Sequence, residues 1–200
     1  SVGAQILEPR SVSIAKKNNI IVWVRSSFKN VKGTKISGNS NKLEKRNVSG
    51  IVFSNNDSKI TLLGVPDKPG VAAKIFGSLA NEDINVDMIV QNISSDGKYS
   101  DLTFTISESD LFKANKCILR IKETIKIKNI LPDNNVAKIS IVGVGMRTNA
   151  GIAENMFRSL AKRKINIDLI STSEIKISVL ISRKNLKKAV NTLHKDFKLG

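Results

Sequence analysis

The chain has 200 residues, of which 40% are apolar, and it contains one cysteine, Cys117, and one histidine, His194. This length suffices for one sizeable core or two small ones, and no apolar run approaches the roughly 18 residues of a membrane-spanning helix. The single cysteine excludes a disulfide framework, and one cysteine with one histidine leaves no spacing typical of a metal site. No signal segment opens the sequence. We therefore expect a cytoplasmic protein with neither a bound metal nor a membrane partner.

The formal net charge of +16 raises the hypothesis of a nucleic-acid partner. The lysines, however, are scattered over every predicted element, as a proteome-wide compositional bias would scatter them. Aromatic residues make up only 4% of the chain, which leaves few platforms on which single-stranded bases stack. The charge alone therefore argues weakly for nucleic acid, and we expect none.

The first 47 residues predict a helix, a strand and a linker. Residues 9–18 place Val12, Ile14 and Ala15 on one helical face, and residues 20–28 form the β-branched and aromatic run typical of a strand. Residues 29–47 are rich in Gly, Ser, Asn and Lys and indicate a linker. One helix and one strand cannot form a core. Residues 1–28 are therefore interpreted as the end of a domain whose body lies outside this sequence.

Two later stretches, residues 60–94 and 139–174, repeat one pattern of strand, turn, helix and strand. Each of seven residues recurs 81 positions later (168 − 87 for the last pair): Gly70, Phe76, Leu79, Ala80, Ile84, Asn85 and Asp87 match Gly151, Phe157, Leu160, Ala161, Ile165, Asn166 and Asp168. Before the turn the offset is 79, from Gly64 to Gly143, so the second turn is two residues longer. Such self-similarity indicates a duplicated module.

The first module is predicted to have the order βαββαβ. Its strands are expected at 60–65, 86–93, 99–106 and 125–131, and its helices at 69–80 and 109–122, the second entered through Ser109 and Asp110 as an N-cap. This is the split βαβ arrangement of ferredoxin-like folds.

The second module is predicted to have strands at 137–144, 167–172 and 175–181 and helices at 151–163 and 184–197, but no fourth strand. The strand expected at 48–54 is the natural cover for the open edge. We therefore predict an α+β fold in which the first module, 58–133, is inserted in the second, 48–57 plus 134–200.

No Walker loop, dinucleotide fingerprint, paired-carboxylate motif or Cys/His cluster occurs in the sequence, so we assign no catalytic residue and no metal ligand. The turn from Asp67 to Gly70 carries more information. Pro69 is expected to fix the first helical turn, and Gly70 lets a ligand approach the N–H groups at a helix N-terminus, which attract anions. Because Asp67 offers a carboxylate to an ammonium group, the turn suits a free amino acid. The alternative is that these residues only begin and cap a helix.

The motifs resemble those of two related groups of proteins. A hydrophobic strand, D-x-P-G, a helix and I-N-[IV]-[DE] resemble an ACT domain, a module that senses amino acids. The tandem pair, with STSEIKISVLI in the second copy, resembles the regulatory half of the aspartokinase family. Residues 9–28 resemble the last helix and strand of that family's α/β amino-acid-kinase domain.

The resemblance implies a parent enzyme that phosphorylates aspartate with Mg-ATP, although the phosphate loop of that family does not occur here and this segment should be inactive. It also implies a homodimer through the ACT domains, or a larger assembly, that binds lysine and/or threonine. One effector site would comprise Asp67, Gly70, Ala72 and Gln91 with backbone groups of Asn166 and Ile167. The other would comprise Asp87, Ser94, Ser173 and Glu174. Ala153 stands where related sequences often place a threonine that faces the second site.

Two other functions stay open at this point. One is a stand-alone ACT protein that senses amino acids without an attached enzyme. The other is an RNA-binding pair of ferredoxin-like domains, which needs aromatic side chains on the central strands, where this sequence offers only Phe104.

Overall fold

The computed structural model of the chain describes residues 7–37, 48–143 and 151–199. In chain order its helices and strands are α1 Pro9–Lys17, β1 Val22–Val24, β2 Thr34–Ile36, β3 Gly50–Ser54, β4 Asp57–Pro66, α2 Val71–Ala80, β5 Val86–Ile93, β6 Tyr99–Ser107, α3 Leu111–Ile125, β7 Asn129–Asp133, β8 Val136–Val142, α4 Gly151–Lys162, β9 Leu169–Thr172, β10 Lys176–Ser182 and α5 Leu186–Asp196. Among these helices, none combines the length and the apolar composition that a bilayer span requires.

The strands form two four-stranded antiparallel sheets with the same topology. The first has the order β5-β6-β4-β7 and the second the order β3-β8-β10-β9. In the second sheet β3 takes the place that β7 has in the first, because residues 50–54 pair with β8 from Val142 back to Lys138. The first module is therefore inserted in the second, as predicted for this α+β fold.

Each module has its own core between one face of its sheet and its two helices. Alternate residues of a strand point to opposite faces, so β4 places Ile60 and Leu62 inward and β6 places Phe104 inward, all fully buried. Helix α2 meets them with Ile75 and Leu79, four residues apart on one face. The equivalent core of the second module is built on fully buried Ile139, Ile141, Val179, Met156 and Leu160.

The structure corrects the prediction that residues 29–47 are only a linker. Thr34–Ile36 forms β2, which pairs antiparallel with β1 in a separate two-stranded sheet. The predicted strand over 20–28 is correspondingly short, from Val22 to Val24. Three residues carry too little periodicity to be recognised in a Gly- and Lys-rich sequence. Several apolar side chains around this sheet stay exposed, namely Ile14, Ile20, Ile21, Trp23, Phe28 and Val31.

Two predicted helix beginnings in the first module also differ. Helix α2 begins at Val71 rather than at residue 69, because Gly70 has φ 87° and serves as its N-cap in a left-handed conformation. Pro69 therefore lies before the helix and not in its first turn. Asp110 lies before α3 without a side-chain capping hydrogen bond, in a 3-10 turn from Glu108 to Asp110.

The last strand of the first module lies later than predicted. Ile125 ends α3, and Lys126 follows in a left-handed conformation with φ 66°. The strand β7 then continues through Pro132, which lies opposite Ile60 in the register. A proline is tolerated there because β7 is an edge strand, where a missing N–H faces away from the ladder. Most other boundaries agree with the predictions within about two residues, the usual spread at element ends.

Candidate functional site

A cavity of about 390 Å³ lies where β4 ends and α2 begins. Four of the predicted effector residues line it together: Asp67, Gly70, Ala72 and Gln91. Its remaining walls come from β4, the turn before α2, α2 itself and β6, and they include Val65, Lys68, Pro69, Ile75, Ser100 and Leu102. The turn from Asp67 to Gly70 and the strand β5, far apart in sequence, therefore meet at one site.

The N-terminus of α2 faces this cavity without a side-chain cap. The first N–H groups of a helix have no partners within the helix, and the helix dipole adds partial positive charge there. A Cβ at Gly70 would meet nothing within 4 Å, so the space beside this glycine is open. The arrangement suits a carboxylate placed against the helix N-terminus.

A short hydrogen-bond chain supplies the polar side of the cavity. The Gln91 amide Nε2 donates to Asp67 Oδ1 at 3.3 Å and to Ser100 Oγ at 3.1 Å. Asp67 is exposed, whereas Ser100 is buried at 3% exposure. A carboxylate, an amide oxygen and a hydroxyl close to a helix N-terminus match the opposite charges of an amino acid.

Ser100 is a site residue that the sequence analysis missed. It stands at an inward position of the alternating strand, in line with Leu102, Phe104 and Ile106, which are all buried. A hydroxyl at such a position needs a hydrogen-bond partner, and Gln91 provides it. The polar residue within an otherwise apolar inward row was the signal that could have found it.

Asn166 and Ile167 do not join this cavity within one chain. Ile167 lines a second cavity of about 330 Å³ between the two modules, and Asn166 is exposed just before β9. The other walls of the second cavity include Lys59, Thr61, Asn92, Thr103 and Asp168. The first predicted effector set is thus only partly assembled in a single chain.

The structure does not bring the second predicted set together as one site. Ser94 lies seven residues beyond Asp87, about 23 Å along an extended strand. The Ser94 Oγ lies 2.6 Å from Asp96 Oδ1 and 2.7 Å from the Tyr99 carbonyl, either of which can accept its one proton, and it accepts from the Tyr99 N–H at 3.1 Å, so it closes the β5–β6 hairpin. The hydrogen bond from Ser94 to Asp96, with that from the Lys98 N–H, holds the pKa of Asp96 below its ordinary value.

Ser173 and Glu174 lie in the β9–β10 turn. The Ser173 hydroxyl accepts a hydrogen bond from the Lys176 N–H at 3.2 Å, and the Ser173 N–H donates to the Lys176 carbonyl at 2.8 Å. Ser173 therefore stabilises the turn. Ala153, the departure noted on α4, packs half-buried against the second core.

Asp87 is bound by lysines of the second module. Lys138 Nζ donates to Asp87 Oδ2 at 2.5 Å, and Lys176 Nζ lies 3.9 Å from Asp87 Oδ1. Burial by itself raises the pKa of Asp87, but the hydrogen bond from Lys138 and the charges of Lys138 and Lys176 outweigh it and hold that pKa below its ordinary value. The carboxylate is thus kept ionised by internal cations.

Comparisons with known proteins agree with this architecture. A family model described as ACT domain matches residues 60–120 and 139–197. A crystal structure of aspartokinase alpha and beta subunits contains a chain that is 44% identical to this one, with a TM-score of 0.70. The match covers 76% of this chain and 99% of that chain. The chain belongs to the aspartokinase family. We call its modules ACT1, the inserted one, and ACT2.

Two further relatives show which part of an aspartokinase this is. The regulatory subunit of aspartate kinase from Thermus thermophilus is 32% identical with a TM-score of 0.72, over 76% of this chain and 99% of that subunit. The aspartate kinase of Pseudomonas fluorescens is 44% identical over 100% of this chain and 48% of that enzyme. The chain therefore spans about half the length of the curated aspartokinases that it matches.

The charges around Asp87 predict a pH dependence of the stability of this aspartokinase chain. Because the folded pKa of Asp87 is depressed, its contribution is present above the ordinary value of 3.8 and is lost as the pH falls through the folded value. We expect Asp87→Asn to lower the unfolding midpoint near neutral pH and to lower it progressively less in acid. Asp83→Asn, at an exposed turn residue, is the control and should show no such convergence. Parallel curves for wild type and Asp87→Asn throughout would contradict the prediction.

Proposed function

We propose that this chain is the amino-acid-sensing regulatory part of an aspartate kinase, which transfers a phosphoryl group from Mg-ATP to the side chain of L-aspartate. The observation that carries the proposal is the cavity in which Asp67, Gln91 and the uncapped N-terminus of α2 meet. Sequence similarity to aspartate kinases over the full 200 residues supports the enzyme class. A cytoplasmic location fits such an enzyme and stays a prediction.

The segment before ACT2 supports attachment to a kinase domain. Helix α1 and the β1–β2 pair leave a set of apolar side chains exposed, of which Phe28 at 95% is the extreme case. Six large apolar side chains exposed within residues 14–31 favour a contact with another domain or protein. We assign residues 1–28 to the end of the kinase domain, together with β2, which pairs with β1, and keep the linker for the rest of residues 29–47. The catalytic residues and the Mg-ATP site would lie in that domain, so this segment alone has no kinase activity.

The ligand proposed for the α2 cavity is lysine or threonine. Its carboxylate would bind the N–H groups at the start of α2, and its ammonium would bind Asp67 Oδ1 and the Gln91 side-chain oxygen after Gln91 turns. A cavity of about 390 Å³ has room for either amino acid. Ala72 and Gly70 keep the entrance open because neither has a bulky side chain.

The site is completed in this proposal by a second chain. Asn166 and Ile167 lie away from the α2 cavity of their own chain, and the edge strands β5 and β9 expose Ile89, Ile93 and Ile170. Pairing of ACT1 with the ACT2 of another copy would cover these side chains and bring the backbone of Asn166 and Ile167 to Asp67. Of the second set, Ser94, Ser173 and Glu174 would likewise come together only at such an interface, whereas Asp87 is already bound by Lys138 within the chain.

The experiment is thermal unfolding of the 200-residue chain with lysine, threonine, both, and methionine as a control ligand. Specific binding at about a hundred times the dissociation constant stabilises the folded state by roughly 2.7 kcal/mol and raises the midpoint by several degrees. Asp67→Asn should weaken the bound amino acid by about tenfold or more, because a hydrogen bond to a charged group contributes about 1.5–3 kcal/mol. Asp83→Asn, at an exposed turn residue beyond the other end of α2, should leave binding unchanged.

Two outcomes would contradict this proposal. A midpoint unaffected by lysine and threonine in a folded dimer would exclude the sensor role of this segment. Equal shifts in Asp67→Asn and Asp83→Asn would place the ligand elsewhere. The alternative, a stand-alone ACT regulator, predicts the same shifts of the midpoint with each ligand. The gene sequence distinguishes the two, because a kinase-coding sequence upstream would exclude the stand-alone regulator.

A further inference from the structure

The open faces of the two sheets, those without helices, pack against each other. Met88 and Val90 of β5 contact Leu169 of β9 and Leu180 of β10 in a small apolar cluster between the modules. Met88 and Leu169 are 81 positions apart, so they occupy equivalent positions in the two copies of the repeat. The interface thus brings equivalent positions of ACT1 and ACT2 together.

The polar contacts of this interface follow the same symmetry. Lys138 of ACT2 binds Asp87 of ACT1, and Lys59 of ACT1 lies 3.9 Å from Asp168 of ACT2. Lys59 and Lys138 are 79 positions apart, and Asp87 and Asp168 are 81 apart, which are the two offsets of the repeat. Each module therefore offers one lysine and one aspartate to the other, as the two halves of a dimer with twofold symmetry do.

A pair of hydroxyls accompanies each lysine. Thr61 and Thr103 hydrogen-bond across β4 and β6 at 3.1 Å, and Ser140 and Ser178 do so across β8 and β10 at 2.8 Å. Both pairs lie on the open faces, in line with the lysine two residues before Thr61 or Ser140. The equivalence between ACT1 and ACT2 therefore includes these hydroxyl pairs as well as the charged residues.

The two halves differ in how closely each lysine approaches its carboxylates. Lys138 reaches two carboxylates, Asp87 at 2.5 Å and Asp57 at 3.2 Å, and its side chain is only 16% exposed. Asp57 is buried, and its second oxygen, Oδ2, has no hydrogen-bond partner. Lys59 is 3.5 Å from Asp133 and 3.9 Å from Asp168, beside the open cavity between the modules. The Lys59 side chain is almost as shielded, at 20% exposed, so the two halves differ in their contact distances: Lys138 lies within hydrogen-bond distance of both of its carboxylates, and Lys59 makes only the longer contacts.

We infer that Lys138 is a positioning residue that fixes ACT1 on ACT2, and that Asp87 serves as its partner rather than as a ligand of a free amino acid. The Lys138 ammonium group already binds Asp87, the carboxylate that the resemblance implies as a ligand of the effector. This inference rests on the proposed sensor function only for its ligand test, because the contact itself is internal to the chain. Coupling between the ACT domains then depends on the Lys138–Asp87–Asp57 cluster.

The first test is a double-mutant cycle on the unfolding midpoint of the 200-residue chain. Lys138→Met leaves buried Asp57 without its cation and should lower the midpoint by about 5 °C or more. Asp87→Asn should lower it less, and the double variant should fall short of the sum, which reveals the coupling. The repeat provides the matched control, since Lys59→Met and Asp168→Asn should be nearly additive. Additive losses at Lys138 and Asp87 would overturn the inference.

The second test separates positioning from ligand binding. Lysine and threonine are titrated into wild type, Asp87→Asn and Lys138→Met. If Lys138 fixes the modules, both variants change the affinity in the same direction or leave it unchanged. If Asp87 is a ligand with which Lys138 competes, Asp87→Asn weakens lysine binding and Lys138→Met strengthens it, and that result would overturn the inference. If wild type binds neither amino acid, the sensor function is refuted. The double-mutant cycle alone then decides whether Lys138 positions the two domains.

A third measurement follows the geometry itself. Spin labels at exposed positions 74 of α2 and 187 of α5, in a Cys117→Ala background, report the distance between ACT1 and ACT2. Lys138→Met should broaden the distance distribution, whereas Lys59→Met should leave it close to that of the unsubstituted pair. A distribution that is identical in Lys138→Met and its background would show that this lysine does not position the domains.

Discussion

We expect Phe104→Ala to lower the free energy of unfolding by about 3–5 kcal/mol, the usual loss for a buried phenylalanine cut back to alanine. Phe104 is fully buried on β6, a central strand of the ACT1 sheet. Its ring meets that of Phe76 edge-on, with centroids 5.6 Å apart at 74°. The substitution removes this contact, worth about 0.5–1.5 kcal/mol beyond the buried area, and leaves a cavity between the sheet and α2.

Urea denaturation measures the loss, with Phe53→Ala as the matched control. Phe53 lies on β3, an edge strand of ACT2, and is 51% exposed. Because half of its surface is already in water, its truncation should cost at most about 1 kcal/mol. Losses of similar size in the two variants would mean that the ACT1 core does not close over Phe104 as the structure shows it.

The same core supports the effector cavity. Ile75 and Leu102 belong to the ACT1 core and also line the α2 cavity, so the wall of the site is continuous with the packed interior. A cavity beside Phe104 therefore loosens the helix whose N-terminus is proposed to bind the carboxylate. Stability and ligand binding should decline together in Phe104→Ala.

The sequence predicts the architecture of the two modules because the same pattern of strands and helices occurs in it twice. The 81-residue offset identifies the repeated βαβ unit, and period-two alternation in β6 identifies its inward residues. The missing fourth strand of the second copy then makes the strand predicted at 48–54 the natural cover of the open edge, and these residues do pair with β8. Local pattern and global topology agree at each of these steps, as expected of a natural sequence.

Other features depend on geometry that no local pattern records. The start of α2 follows from the positive φ of Gly70, which proline statistics at helix starts do not reveal. The contact of Lys138 with Asp87 joins residues 51 positions apart in two modules, whereas the sequence predicts Asp87 as an effector residue and assigns no role to Lys138. Only the packing of one sheet face on the other places these charges together.

The predicted effector sets also depend in part on geometry that the sequence does not record. Asp67, Gly70, Ala72 and Gln91 meet within one chain, because the turn and β5 belong to one module. Asn166 and Ile167 do not reach them, since the proposed contact is between chains. Sequence motifs identify the residues of each half-site, while their assembly depends on how two copies pair.

The strongest test of the α2 cavity is Gly70→Val, which we expect to abolish binding of lysine and threonine. Gly70 has φ 87°, and a Cβ there would project into open space at the helix N-terminus, where the ligand carboxylate is proposed to lie. A branched side chain would fill that space and cover the N–H groups of α2. The left-handed backbone adds a loss of stability of about 1–2 kcal/mol.

Gly97→Val separates these two effects. Gly97 also has a positive φ, 68°, and a Cβ there also meets nothing within 4 Å, but it lies in the β5–β6 hairpin and not in the cavity. Both variants should therefore lose stability by a similar amount, measured by urea denaturation, while calorimetric titration with lysine and threonine should detect binding only in Gly97→Val. Equal binding by the two variants would show that the carboxylate does not lie at the start of α2, because a filled site cannot hold its ligand.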